Sequence, residues 1–160
     1  MKKLLLIAVI AVVVIAGTAK AQTEQKTILV TDNINTLEEL VKPLNGRKIY
    51  IDIWATWCSP CLAQFAYNDA LKKNLSENNV QQLYISIDNA LDDEKWKNYI
   101  EKYNLTGTHI RANGKLKEDL FKRGLIIEGI PQYILIDEKG NIMNEHAKHP
   151  SQLVSGEKLY

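Results

Sequence analysis

Cysteine is nearly absent from this chain, which holds two in 160 residues, Cys58 and Cys61. Two are too few for the disulfide framework that staples small secreted scaffolds. There is also no second cysteine pair, and no paired Cys/His set, to complete a tetrahedral zinc site. His146 and His149, three apart in NEHAKHP, have a ligand-like spacing, but exposed loop histidines are the commoner case and no metal is expected. An excess of either charge is missing too: 20 Lys+Arg face 19 Asp+Glu. That balance excludes a basic footprint for nucleic acid and a strong pull toward an anionic membrane surface. The chain shows no internal repeat, low-complexity tract or linker. Its longest apolar run, residues 4–16, has 13 residues, whereas a helix needs about 20 to cross a bilayer.

That run follows Lys2 and Lys3 and precedes Ala19-Lys20-Ala21, the pattern of a cleaved export signal. The expected organisation is a signal peptide at 1–21 and one domain at 22–160. Cleavage removes Lys2, Lys3 and Lys20 and leaves 17 basic against 19 acidic residues, a net charge of −2. The expected location is periplasmic or exported. The alternative is an uncleaved N-terminal anchor, and only then would the protein touch the membrane. No cysteine near the cleavage site offers a lipid attachment point.

Along the rest of the chain, strand and helix patterns alternate. TILV (27–30) reads as a short strand and NTLEELVKPLNG as a short helix ending near Pro43 and Gly46. In RKIYIDIWA, Ile49, Ile51 and Ile53 alternate with Tyr50, Asp52 and Trp54, so both faces are largely apolar and the strand is central. Residues 59–74 read as one helix with a stripe of Leu62, Phe65, Ala66, Ala70 and Leu71. VQQLYISID is a second strand, DDEKWKNYIEKYN a surface helix, THIRA a third strand and GKLKEDLFKRG a helix closed by Gly124. GIPQYILIDEKGNIMNEHA reads as a hairpin turning at 138–141, and PSQLVSGEKLY as a weak final helix. The order implies an α/β sandwich around a mixed sheet.

The cysteine pair sits where the central strand gives way to a helix. A bridge across two residues closes too short a loop to restrict the unfolded chain much, so it makes a poor structural staple. Chemically the position is favourable. Unpaired N–H groups at a helix start stabilise a thiolate at Cys58, and a thiolate of lowered pKa is also a better leaving group. Cys61, one turn on, can reach the same sulfur, and Pro60 suits the first helical turn. Cys58 is read as the sulfur that exchanges with a partner's disulfide, and Cys61 as the one that releases the partner in a fast intramolecular step. The redox-active Cys58–Cys61 disulfide needs no further cofactor.

YIDIWATWCSPC resembles the active-site segment of the thioredoxin superfamily, the match covering Asp52, Trp54, Ala55, Trp57, Cys58, Pro60 and Cys61. The resemblance implies a proton-accepting role near Cys61 for Asp52, whose burial should raise its pKa. The plainer alternative is an Asp hydrogen-bonded to backbone. Where thioredoxins carry a lysine near that acid, the alignment puts Tyr84. Trp57 is placed on the exposed rim by resemblance, with core packing as the alternative, and Trp54 is read as core. Pro131, preceded by Ile130, matches the superfamily's cis-proline, which presents backbone to an extended peptide. Without the upstream motif it would be read as an ordinary trans proline starting a strand. Trp57, Ser59, Pro60, Ile130 and Pro131 form the expected substrate-binding rim. The 40 residues 89–128 look like the αβ-type insertion of exported TlpA-like and ResA-like reductases, ahead of the cis-Pro hairpin. IPQYILIDEKGNIMNEHAKHPS is also similar to C-terminal segments of that group from Bacteroidetes-type bacteria.

The resemblance implies a thiol–disulfide oxidoreductase of the protein-disulfide reductase type. Its partners would be protein disulfides or dithiols, with a membrane electron donor of the DsbD or CcdA kind and cytochrome c maturation as one setting. Two alternatives stand beside it. A non-catalytic module for cysteine-containing partners needs only a structural pair. A thiol peroxidase needs a threonine three residues before the reactive cysteine and a proline seven before, where this chain has Ala55 and Ile51.

Overall fold

The structure is a computed structural model that describes residues 27–30 and 33–160; the expected signal segment 1–21 lies outside them. Strand β2 (Lys48–Trp54) carries the architecture because both of its faces are apolar and fully covered. It pairs in parallel with β3 (Val80–Ser86) and antiparallel with β5 (Gln132–Ile136). Beyond β3 lie β4 (Thr108–Arg111) and then β1 (Thr27–Val30), both parallel, and β6 (Ile142–Asn144) closes the other edge antiparallel to β5. The result is a six-stranded mixed sheet in the order β1-β4-β3-β2-β5-β6.

The alternation in β2 divides the core. Ile49, Ile51 and Ile53 pack with Leu83, Ile85, Ile110, Ile134 and Ile136 under helices α1 (Leu37–Val41) and α5 (Gly114–Lys122). On the opposite face Tyr50 joins Leu71, Leu75 and Tyr133, and Trp54 joins Phe65, Tyr84, Trp96 and Ile100. Leu71 and Leu75 come from α3 (Asn68–Glu77), and Trp96 and Ile100 from α4 (Asp93–Lys102). The α/β sandwich expected from the pattern is the observed fold, and the 89–128 insertion consists of α4, β4 and α5.

Local chemistry explains the boundaries. The Asn113 side chain accepts the Leu116 N–H (2.8 Å) and starts α5, and Gly124, at φ +82°, follows its end. Asp137 Oδ1 accepts the N–H groups of Lys139 (2.9 Å) and Asn141 (2.8 Å), which folds the β5–β6 hairpin at the expected place.

One expectation needs correction. Residues 59–74 are not one helix: α2 (Ser59–Gln64) passes through a 3₁₀ turn (Phe65–Tyr67) into α3. The tighter turn rotates the stripe, so Ala66 is exposed while Asn68 and Leu75 are buried. Phe65 wedges edge-on against Trp54 (5.1 Å between ring centres) at the break. The short, weak final helix is present as a 3₁₀ segment (Pro150–Ser155) that ends at Gly156.

Candidate active site

The C-terminal end of β2 runs straight into the cysteine pair. Residues 55–58 form a turn closed by the Cys58 N–H on the Ala55 carbonyl (3.1 Å). Cys58 is the N-cap of α2, in extended backbone, and its Sγ accepts the Cys61 N–H at 3.2 Å. The two sulfurs are joined as a disulfide, with Cα atoms 5.3 Å apart. Cys58 is 4% exposed and Cys61 fully buried, so only Cys58 presents any surface to a partner. Ser59 and Pro60 are exposed beside it, and Trp57 is 57% exposed, which puts its ring on the rim rather than in the core. Trp54 is core, as expected.

The second half of the site arrives from 72 residues downstream. The Ile130 carbonyl oxygen lies 3.6 Å from Cys58 Sγ, and the Ile130–Pro131 peptide bond is cis. The fold thus brings Cys58, Cys61 and the Ile130–Pro131 peptide bond together.

Asp52 lies on the face of β2 that also carries Tyr50 and Trp54. It is 1% exposed, and neither carboxylate oxygen has a hydrogen-bond partner among the described residues. The backbone-bonded alternative therefore does not describe it. Burial pushes its pKa well above the usual carboxylate range. Its cross-strand neighbours are Tyr84 on β3 and Tyr133 on β5. Asp52 makes no hydrogen bond to Cys61; what the two share is one side of the sheet. Of the histidines, His146 is exposed and His149 leans on the Tyr133 ring (4.8 Å). The described residues include no cluster of three or more His, Cys, Asp or Glu able to hold a metal.

Sequence reasoning missed Asp88. It is fully buried just past β3, and its carboxylate accepts the Thr56 N–H (3.0 and 3.1 Å), the Thr56 hydroxyl (2.8 Å) and the Ser86 hydroxyl (2.8 Å). The signal was present in VQQLYISID, where two polar residues interrupt an apolar strand at the end that faces the cysteines.

Comparison with known proteins agrees with this geometry. The family described as Redoxin matches residues 19–155. The chain belongs to the Redoxin family. Within it, the chain is 28% identical over 127 residues to the thiol-disulfide oxidoreductase ResA of Bacillus thuringiensis subsp. konkukian, covering 76% of this chain and 66% of that protein. It is 30% identical over 105 residues to the thiol:disulfide interchange protein DsbE of Tatumella citrea, covering 65% and 51%. The chain thus spans just under two thirds of the length of the ResA relatives it matches. Among solved structures, it superposes on a Bacteroides vulgatus protein proposed to be a thiol-disulfide oxidoreductase, with TM-score 0.59 and 30% identity over 74% of this chain and 75% of that one. A thiol-disulfide oxidoreductase from Bacteroides fragilis gives TM-score 0.55 and 26% identity over 70% and 79%. This Redoxin-family chain is a thioredoxin-superfamily protein of the ResA-like and TlpA-like branch.

Proposed function

We propose that the protein is an exported thiol–disulfide oxidoreductase that reduces protein disulfides through Cys58 and Cys61. The observation that carries this reading is the placement of Cys58: partly accessible, bonded to Cys61, and with its sulfur accepting a helix-start N–H. In the reduced protein that N–H stabilises the Cys58 thiolate. The thiolate attacks one sulfur of a substrate disulfide; a mixed disulfide forms and the other substrate sulfur leaves as a thiolate, which takes up a proton. Cys61 then loses its proton to Asp52 and attacks Cys58 Sγ. The mixed disulfide breaks, the second substrate sulfur departs, and the Cys58–Cys61 bond closes. Two electrons pass from the dithiol to the substrate.

In this reading the Ile130 carbonyl and Pro131 line the groove opposite Cys58, and Trp57, Ser59 and Pro60 form the exposed side. An extended peptide would lie between them. Re-reduction falls to a membrane donor of the DsbD or CcdA kind, as the resemblance implies, and a cleaved leader at 1–21, read from its charged start, apolar run and Ala19-Lys20-Ala21, delivers the domain to the periplasm. Among the described residues no helix is long and apolar enough to cross a membrane.

The test is insulin-disulfide reduction with dithiothreitol, comparing the native chain with Cys58→Ser. Turnover that disappears in the variant is expected; absence of turnover in both would favour a binding module. Cys61→Ser should trap mixed disulfides, because the attacking sulfur remains and the release step is lost. A pull-down in which reducing agent frees no partner would overturn the two assigned roles.

A further inference from the structure

A carboxylate removed from water needs donors to offset its lost hydration, and Asp88 has them from one narrow region. Both of its oxygens contact the Thr56 N–H, and Oδ1 and Oδ2 each accept a hydroxyl, from Thr56 and Ser86 respectively. Its own N–H is donated to Ser86 Oγ (3.0 Å). Thr56 is the second residue of the turn over 55–58 that the Cys58 N–H closes. Asp88 therefore fixes the direction from which the chain enters Cys58.

The same residue is tied to the insertion. Lys117, on α5, donates from Nζ to the Asp88 carbonyl (2.9 Å), and the Ala112 N–H at the end of β4 bonds the Ser86 carbonyl (2.8 Å). The Ile87 N–H is held by the Trp54 carbonyl (2.9 Å), so the end of β3 is gripped from both neighbouring strands. The charged groups around this junction are Asp88, Lys117 on α5 and Arg111 on β4, whose guanidinium is paired with Asp93 of α4.

We propose that Asp88 is a positioning residue: its carboxylate holds Thr56, and through Thr56 the turn that aims the Cys61 N–H at the Cys58 sulfur, while Lys117 ties this hold to the inserted helix α5. The inference rests on the reading of Cys58 as the nucleophile. It gives the insertion a part in the chemistry that neither cysteine motif reveals. Asp88 touches no reacting atom and acts only through the backbone it orients.

The test follows the alkylation rate of Cys58 with iodoacetamide against pH, in full-length Cys61→Ser protein so that one thiol titrates. Thr56→Val keeps the shape of the side chain and the Asp88 charge but loses the hydroxyl donor. It should raise the apparent Cys58 pKa and lower the rate at pH 7 about five-fold, leaving the high-pH plateau unchanged. Thr56→Ser restores the donor and should fall within about two-fold of the parent. Lys117→Met should give a smaller shift in the same direction. Thr56→Val and Thr56→Ser titrating alike would overturn the proposal. If Thr56→Val does not fold, Lys117→Met decides alone: a shift supports the proposal and none overturns it. Alkylation needs no disulfide substrate, so a protein that titrates as expected yet leaves insulin oxidised would sink the proposed function and spare this inference.

Discussion

Asp52 is a carboxylic acid placed where its charged form has no support. The sheet surrounds it with Tyr50, Tyr84 and Tyr133, and among the described residues no cation counters the desolvation that raises its pKa. Tyr84 stands directly across from it, in the place where the resemblance puts a lysine. Such a group binds its proton more tightly in the folded chain than in the unfolded one. Ionising it therefore costs stability as pH climbs from the unfolded value near 4 through the raised folded value, and costs nothing below both. Asp52→Asn should stabilise the oxidised protein by about 1–3 kcal/mol at pH 8, with the gain shrinking toward zero near pH 4. Urea titrations at the two pH values check this, and an equal gain at both would contradict the raised pKa. In the proposed mechanism Asp52 accepts the Cys61 proton, so the same variant should slow release of the mixed disulfide. Most of this was legible in an acid set among Ile51, Ile53 and Trp54, and the resemblance placed Tyr84 beside it; Tyr133 was not legible, because register pairs it with Asp52 from 81 positions away.

At the scale of elements, the start of α2 could be read from Cys58-Ser59-Pro60, where local propensity and capping act within a few residues. Its interruption at Phe65–Tyr67 could not. Apolar spacing over 59–74 fits an unbroken helix, and only the packing of Phe65 against Trp54 and Tyr103 accompanies the change of pitch. The approach to β4 is another case. Gly107 has φ +129°, and a Cβ there would lie 2.8 Å from the Gln82 carbonyl oxygen, closer than the backbone allows. Gly107→Ala should cost about 1–3 kcal/mol and loosen the β3–β4 pairing that carries Asp88. A thermal or urea midpoint matching the native chain would show that β4 can shift to make room.

For the molecule as a whole, the insertion is part of the sheet and not an appendage, because β4 lies between β1 and β3. Trp96 and Ile100 of α4 are fully buried in the cluster that also holds Cys58 and Cys61. One cooperative unfolding unit is therefore expected. In urea-dependent hydrogen exchange, the amides of Ala112 and Ile87, bonded across β4–β3 and β3–β2, should open with the same free energy. Two separate values would mean that the insertion opens on its own. The amino-acid sequence by itself determined the class of fold, the order of elements and the place of the cysteine pair at a strand–helix junction, because those depend on periodicity, turn chemistry and short motifs that act within a few residues; the cis proline came from the resemblance. Only the tertiary structure decided that Tyr133 also stands beside Asp52, how close the Ile130 carbonyl comes to Cys58, and that Asp88 grips the turn before it. These contacts join segments far apart in the chain, and nothing local encodes a distance that exists only once the strands have paired.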